Sequence, residues 1–239
     1  MKELCLALSI LFVQTFAIAQ FQCGTSEYTK SLGKDYQKSL DELDLEILKR
    51  KGSRKKAVGV VTVPVVIHII HTGQDVGTGV NLSQAAIDES LVHLNDAFRA
   101  TNQYASTTSD SEIQFALAVR DPNGQPTSGV NRFDASHITS YVTNGHDDNL
   151  NGDQIENATG WSSSEYVNIW VVSGFSDAGV AGFANLPIFA DIKTSDIQDG
   201  IRIDDNYLNT IALVHEMGHF LGLYHTFNES VSIDCPNDQ

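Results

Sequence analysis

Cysteine, methionine, basic residues and long apolar runs are all scarce in this chain, and each scarcity narrows what it can be. Of 239 residues, three are cysteine and two are methionine. Three cysteines cannot build the dense disulfide framework of a small secreted scaffold. Lysine and arginine together number 15 against 30 aspartates and glutamates, a formal net charge of -15. Such an acidic balance opposes binding to nucleic-acid phosphates or to anionic membrane surfaces. The one long apolar run, residues 4–16, is interrupted by Gln14 and Thr15, and it falls short of the ~20 residues a membrane span needs. There is no serine or cysteine nucleophile elbow, no glycine-rich phosphate loop and no interleaving of aromatic with basic residues. With 41% hydrophobic residues the chain still has enough apolar material for a real core.

What is present divides the chain into three segments. Lys2, the apolar run and the small residues around Ala17 and Ala19 read as a secretory signal peptide over residues 1–19, cut after Ala19. Its removal takes Cys5 away and leaves Cys23 and Cys235, either paired as one disulfide or serving separate tasks. Residues 20–56 carry a net +3 and residues 57–239 a net -18. Within the basic segment, residues 39–50 space Leu40, Leu43, Ile47 and Leu48 as in a short amphipathic helix. That helix runs into six basic residues among positions 49–56, which read equally as a solvated linker or as a site for a trypsin-like protease. Residues 20–56 are therefore expected to be a pro-segment with a basic linker, and residues 57–239 the functional body.

The body opens on a β-branched run, residues 58–70, apolar enough for a strand buried on both faces. Ser83 is placed to cap a helix carrying Ile87, Leu91, Leu94 and Phe98 at helical spacing. Alternation over 113–120 predicts a half-buried strand, and Asp121-Pro122-Asn123-Gly124 a turn. Residues 129–164 read as polar loop, and 166–172 as another strand. Glycine-punctuated residues 179–184 read as an edge strand able to pair with an extended peptide, and 200–204 as a further short strand. Asn209 or Thr210 then caps a last helix. Strands mixed with helices in this order predict an α/β or α+β domain around a mixed sheet.

That last helix holds the chemistry. His215 and His219 stand four apart and so share a helix face, close enough to bind one metal ion. Glu216 lies beside the first and can serve water held at that metal without being a ligand. Gly222 can end the helix in a left-handed conformation and let the chain swing His225 back as a third nitrogen ligand. Three imidazoles leave one position of a tetrahedral zinc open, the catalytic pattern rather than the structural one.

Other candidates are weaker. Asp147, Asn149 and Asn151, with Gly152 following, match the first half of a calcium loop, but position twelve is Ala158 where a glutamate is needed. The other reading of this stretch is a surface loop of Asx turns. His68, His71, His93 and His137 lack partners at ligand spacing and read as strand or surface residues. His146, beside Asp147 and Asp148, is read the same way.

The motif from His215 to His225, HExxHxxGxxH, resembles that of the metzincin zinc peptidases, and within them the pappalysin family with its ulilysin-like and cytophagalysin-like members. Residues 63–68, the strand and turn over 113–124, Asn168-Ile169-Trp170-Val171 and the run 215–227 are similar to that family's landmarks, so the resemblance covers roughly 57–235. It implies a metzincin-like zincin fold: a twisted mixed sheet with a backing helix and an active-site helix. It further implies a secreted, zinc-dependent metalloendopeptidase acting on protein or peptide substrates, with His215, His219 and His225 on zinc and Glu216 as general base. Cys23-Gly24-Thr25 resembles a cysteine switch, in which Cys23 ligates the zinc of the latent form; a disulfide to Cys235 and a free thiol are the other readings. The family carries a methionine-bearing turn and a further helix beyond the third histidine. Here fourteen residues follow His225 and none is methionine, so the expectation is a chain truncated before its lower subdomain. A non-catalytic secreted zinc-binding or interaction module is the competing expectation.

Overall fold

The computed structural model describes residues 21–50, 59–187 and 199–225. The expected leader, most of the basic run and Cys235 lie outside these residues. In chain order the elements are β1 (Gln22–Cys23), α1 (Thr25–Ser31), α2 (Gly33–Arg50), β2 (Val61–His71), α3 (Gln84–Phe98), β3 (Ile113–Leu117), β4 (Val130–Asp134), α4 (Thr139–Asn144), α5 (Asp153–Thr159), β5 (Val167–Val172), β6 (Val180–Ala184), β7 (Gly200–Asp204) and α6 (Ile211–Phe220).

Seven strands form one mixed sheet, ordered β1-β6-β7-β5-β2-β3, with β4 also paired to β2. All pairings are parallel except β6 with β7. The α+β expectation holds. The largely apolar runs of β2 and β5 are explained by cover on both faces. Alternate residues Val65, Ile67, Ile69, Ile169, Val171, Ile201 and Ile203 pack with Ile87 and Leu94 of α3 and with Leu213 and Met217 of α6. The intervening residues Ile70, Trp170 and Val172 pack on the other side against Ile138, Tyr141 and Ile155.

Three expectations need correction. Residues 129–164 are not one loop: they hold β4, α4 and α5. These elements are five to seven residues long, too short for periodicity to reveal, and they form because β2 and the far face of the sheet supply partners. Nor is β6 a free edge, since β1 already lies along it with Cys23 in register with Gly182. The helix expected over 39–50 starts earlier, at Gly33. Of its apolar stripe only Leu40 is buried, with Tyr36, against Leu186; Ile47 and Leu48 are exposed.

Candidate active site

The last helix is set by its two ends. Thr210 is extended, and its hydroxyl accepts from the Ala212 amide, so it is the cap between the two foreseen. At the other end the Gly222 amide donates to the His219 carbonyl, and the Leu223 amide to that of Gly218. This closure needs Gly222 at φ +93, a conformation that side chains resist. On one side of α6, Ala212, Leu213 and Met217 are buried against the sheet. That anchorage fixes the directions of the remaining side chains.

The turn at Gly222 returns the chain over the helix, and the three histidines meet. His215, His219 and His225 place their Nε2 atoms 3.0 Å apart in each of the three pairs. His219 Nδ1 lies 2.6 Å from the Leu223 carbonyl oxygen. A carbonyl only accepts, so Nδ1 carries the proton and His219 Nε2 presents a lone pair to its neighbours. Burial and the neighbouring imidazoles push the His219 pKa down to about 4, and the other two histidines are lowered as well. The ring of Phe21 meets His215 edge-on, 5.5 Å between centroids.

Glu216 is wholly buried on the same helix. Its Oε2 accepts from the Thr25 hydroxyl at 2.9 Å and faces the Cys23 thiol at 3.7 Å, while its Oε1 has no partner among the described residues. Burial raises its pKa to about 7. Gly182 of β6 is the close neighbour that gives Glu216 room: a Cβ there would stand 3.2 Å from the Glu216 Cγ and 2.8 Å from the Arg202 carbonyl oxygen. Cys23 joins the histidines, its sulfur and one nitrogen from each imidazole all lying within 4.8 Å of one another. It is a free thiol, pushed up to about 12 by burial and by the charge of Glu216.

The remaining sequence candidates fall differently. Asp147 caps the Asn149 amide, and Asn151 bonds the Asp147 amide and the Gly145 carbonyl. Asp147 thus makes an Asx turn, and Asn151 ties together the backbone that precedes it. His68 is buried between Asn168 and Trp170, and His93 stacks on Tyr104.

Two features escaped the sequence reading. Thr25 bridges the Ala184 amide of β6 and Glu216; a threonine in a short N-terminal segment carries no signal of such a contact. The other is Arg202, wholly buried in β7 and paired with Glu156 of α5. An arginine inside the strand Gly200–Asp204 was the available clue, because a charge there must have a buried partner.

The family model described as pregnancy-associated plasma protein-A, a peptidase family, matches residues 149–238. An extracellular metalloprotease of Arthroderma gypseum is 23% identical over 239 residues, covering 96% of this chain and 68% of that protein. One of Colletotrichum graminicola is 29% identical over 230 residues, covering 93% and 71%. Among solved structures, mature mirolysin of Tannerella forsythia in complex with a cleaved peptide matches with a TM-score of 0.59 and 26% identity, over 73% of this chain and 67% of that one. A mutant of promirolysin from the same organism shares the fold, with a TM-score of 0.63 and 24% identity over 85% of this chain and 69% of the other.

Proposed function

We propose that this chain, a metalloprotease of the pappalysin type, hydrolyses peptide bonds with a zinc ion held by His215, His219 and His225 and with Glu216 as general base. One observation carries the reading: three imidazole Nε2 atoms converge at 3.0 Å beside a buried carboxylate. The donor set fits a cation. Three imidazole nitrogens facing one another repel unless something electron-poor lies among them, and neutral imidazoles with lowered pKa values are the form that binds zinc. Zinc held by three nitrogens supplies a Lewis acid for the scissile carbonyl and makes water easier to deprotonate.

The residues of the chain do the rest. Glu216 takes a proton from the attacking water through its Oε1, which has no partner among the described residues. As the water oxygen bonds to the carbonyl carbon and the C–N bond breaks, the same carboxyl returns the proton to the departing amine. Strand β6 is the surface along which an extended substrate would pair.

The N-terminal segment occupies that machinery in the form described here. Strand β1 lies along β6, the Gly24 amide donating to the Gly182 carbonyl. Cys23 sits at the histidine cluster, and Thr25 takes both the Ala184 amide and Glu216. Residues 20–56 thus act as a latency segment, in which Cys23 would join the three histidines in holding the metal and would supply a thiolate ligand to it. Cleavage at the basic run releases it. The likeness to the proform of mirolysin covers a larger share of the chain than the likeness to the mature form, as a folded segment ahead of the body would give. The extracellular naming of the relatives and the leader expected over 1–19 support an activity outside the cell.

Cleavage of an unfolded protein such as casein, after tryptic release of the residues ahead of 57, tests the reading. A zinc chelator should abolish the cleavage and added zinc restore it; hydrolysis that survives chelation would overturn the assignment. Replacing Cys23 with alanine should raise the basal activity of the uncleaved chain, and an unchanged basal rate would remove Cys23 from the latency device.

A further inference from the structure

A second group of metal-ligating side chains converges on the opposite face of the sheet, where His146, Asp148 and Glu156 come together. His146 is 1% exposed. Its backbone is pinned to the neighbouring loop, its amide donating to the Gly174 carbonyl and its carbonyl accepting from the Ser176 amide. Its ring lies against Phe175 and Phe183. Nε2 faces Glu156 Oε1 at 3.2 Å. Burial opposes the charge of Glu156, but Arg202 and the hydrogen bonds it receives outweigh burial and hold its carboxyl below the ordinary value. An ionised carboxylate only accepts, so the proton of this contact belongs to Nε2.

Nδ1 is therefore left with its lone pair. It is buried and has no hydrogen-bond partner among the described residues. Asp148 Oδ1 is 3.9 Å away, too far for a hydrogen bond but close enough to share a cation with it. An imidazole whose back nitrogen donates to a carboxylate, and whose front nitrogen is unpartnered, has the orientation that metal-binding histidines show. Asp148 is presented by the wide turn Asp148–Gly152, in which the Gly152 amide reaches the Asp147 carbonyl. A side chain at Gly152 would crowd the spot, its Cβ 3.0 Å from Asp148 Oδ1 and 3.2 Å from His146 Cε1. The two groups border a cavity of about 240 Å³, which Asp147, Asp177 and Glu27 also line. The facing charges are therefore negative, apart from Arg202, which Glu156 neutralises, and Lys30, which pairs with Glu27.

We propose that His146 Nδ1 and the Asp148 carboxylate form a second divalent-cation site, separate from the three histidines, with Glu156 orienting the imidazole and water completing the shell. One imidazole with one carboxylate suits zinc or a neighbouring transition metal, whereas calcium takes oxygen ligands throughout. Both ligands belong to the body of the protein, so the site persists when the N-terminal segment is released.

Zinc is the probe, and the untagged full chain the protein. After equilibrium dialysis the unaltered chain should hold two ions, and the Asp148→Asn variant one. In a His215→Ala/His219→Ala background one ion should remain. Adding Asp148→Asn there should weaken its binding about tenfold or more, and His146→Gln should do the same. Circular dichroism confirms that each variant is folded, and Asp148, partly exposed at the surface, keeps the test alive where His146→Gln fails to fold. No ion in the double-histidine background, or an ion indifferent to Asp148→Asn, overturns the proposal. Failure of the three-histidine reading looks different: the unaltered chain would then hold a single ion that Asp148→Asn removes.

Discussion

Replacing Glu216 with alanine should lower peptide hydrolysis by the processed chain roughly 10²–10⁴-fold, the usual worth of a positioned general base, while zinc content stays the same. The carboxylate is on the helix that carries His215 and His219 but is not among the converging ligand atoms. Removing it deletes the proton acceptor and leaves the nitrogens in place. Two conditions make Glu216 a suitable base. It is wholly buried, and burial raises its pKa to about 7, so near neutral pH it is ready both to accept a proton and to give it back. The hydrogen bonds that oppose this rise come from Thr25 and Cys23, which would leave with the N-terminal segment on its proposed release. Hydrolysis and zinc content measured side by side decide the matter. A variant that keeps full activity removes Glu216 from the mechanism, whereas joint loss of zinc and activity would make its role structural.

The sequence was most legible where one element carries its own signal. The apolar run of β2 announced a strand buried on both faces, that of β5 announced a strand, and the spacing of His215, His219, Gly222 and His225 announced both a helix and its end. Local chemistry decides those features, so a local reading finds them. It failed where partners come from far along the chain. Val130–Asp134 alternates poorly and becomes a strand because β2 offers it an edge. Thr139–Asn144 and Asp153–Thr159 are polar helices of under two turns, held by Tyr141 and Ile155 against the sheet. Thr25 and Glu216 are 191 positions apart, and no pattern in either neighbourhood implies their hydrogen bond. The loop around Asp147 stayed ambiguous for a related reason. Asx residues that satisfy their own backbone have the same spacing as residues that hold calcium.

The largest expected loss of stability follows from substituting Arg202. Its guanidinium is wholly buried and donates to both oxygens of Glu156, to the Asn185 side chain and to the Gly200 carbonyl. It also lies over the Trp170 ring, 4.7 Å from the centroid. Burial works against its charge, yet Glu156 outweighs burial and raises its pKa. Arg202→Met therefore strands the Glu156 carboxylate in the core with His146 as its one remaining side-chain hydrogen-bond partner among the described residues, and should cost about 3–5 kcal/mol in urea unfolding, as when one partner of a buried pair is removed. Replacing both, as Arg202→Met with Glu156→Leu, removes the stranded charge along with its partner. That double variant should be more stable than Arg202→Met alone, even though Asn185 and His146 lose hydrogen bonds worth about 1 kcal/mol each. If the double variant is as unstable as the sum of the single losses, the two groups are energetically independent and their pairing carries no coupling. If it recovers most of the loss, the pair is retained for position: it ties β7 to α5 and to Asn185 at the end of β6, and it aims the imidazole of His146.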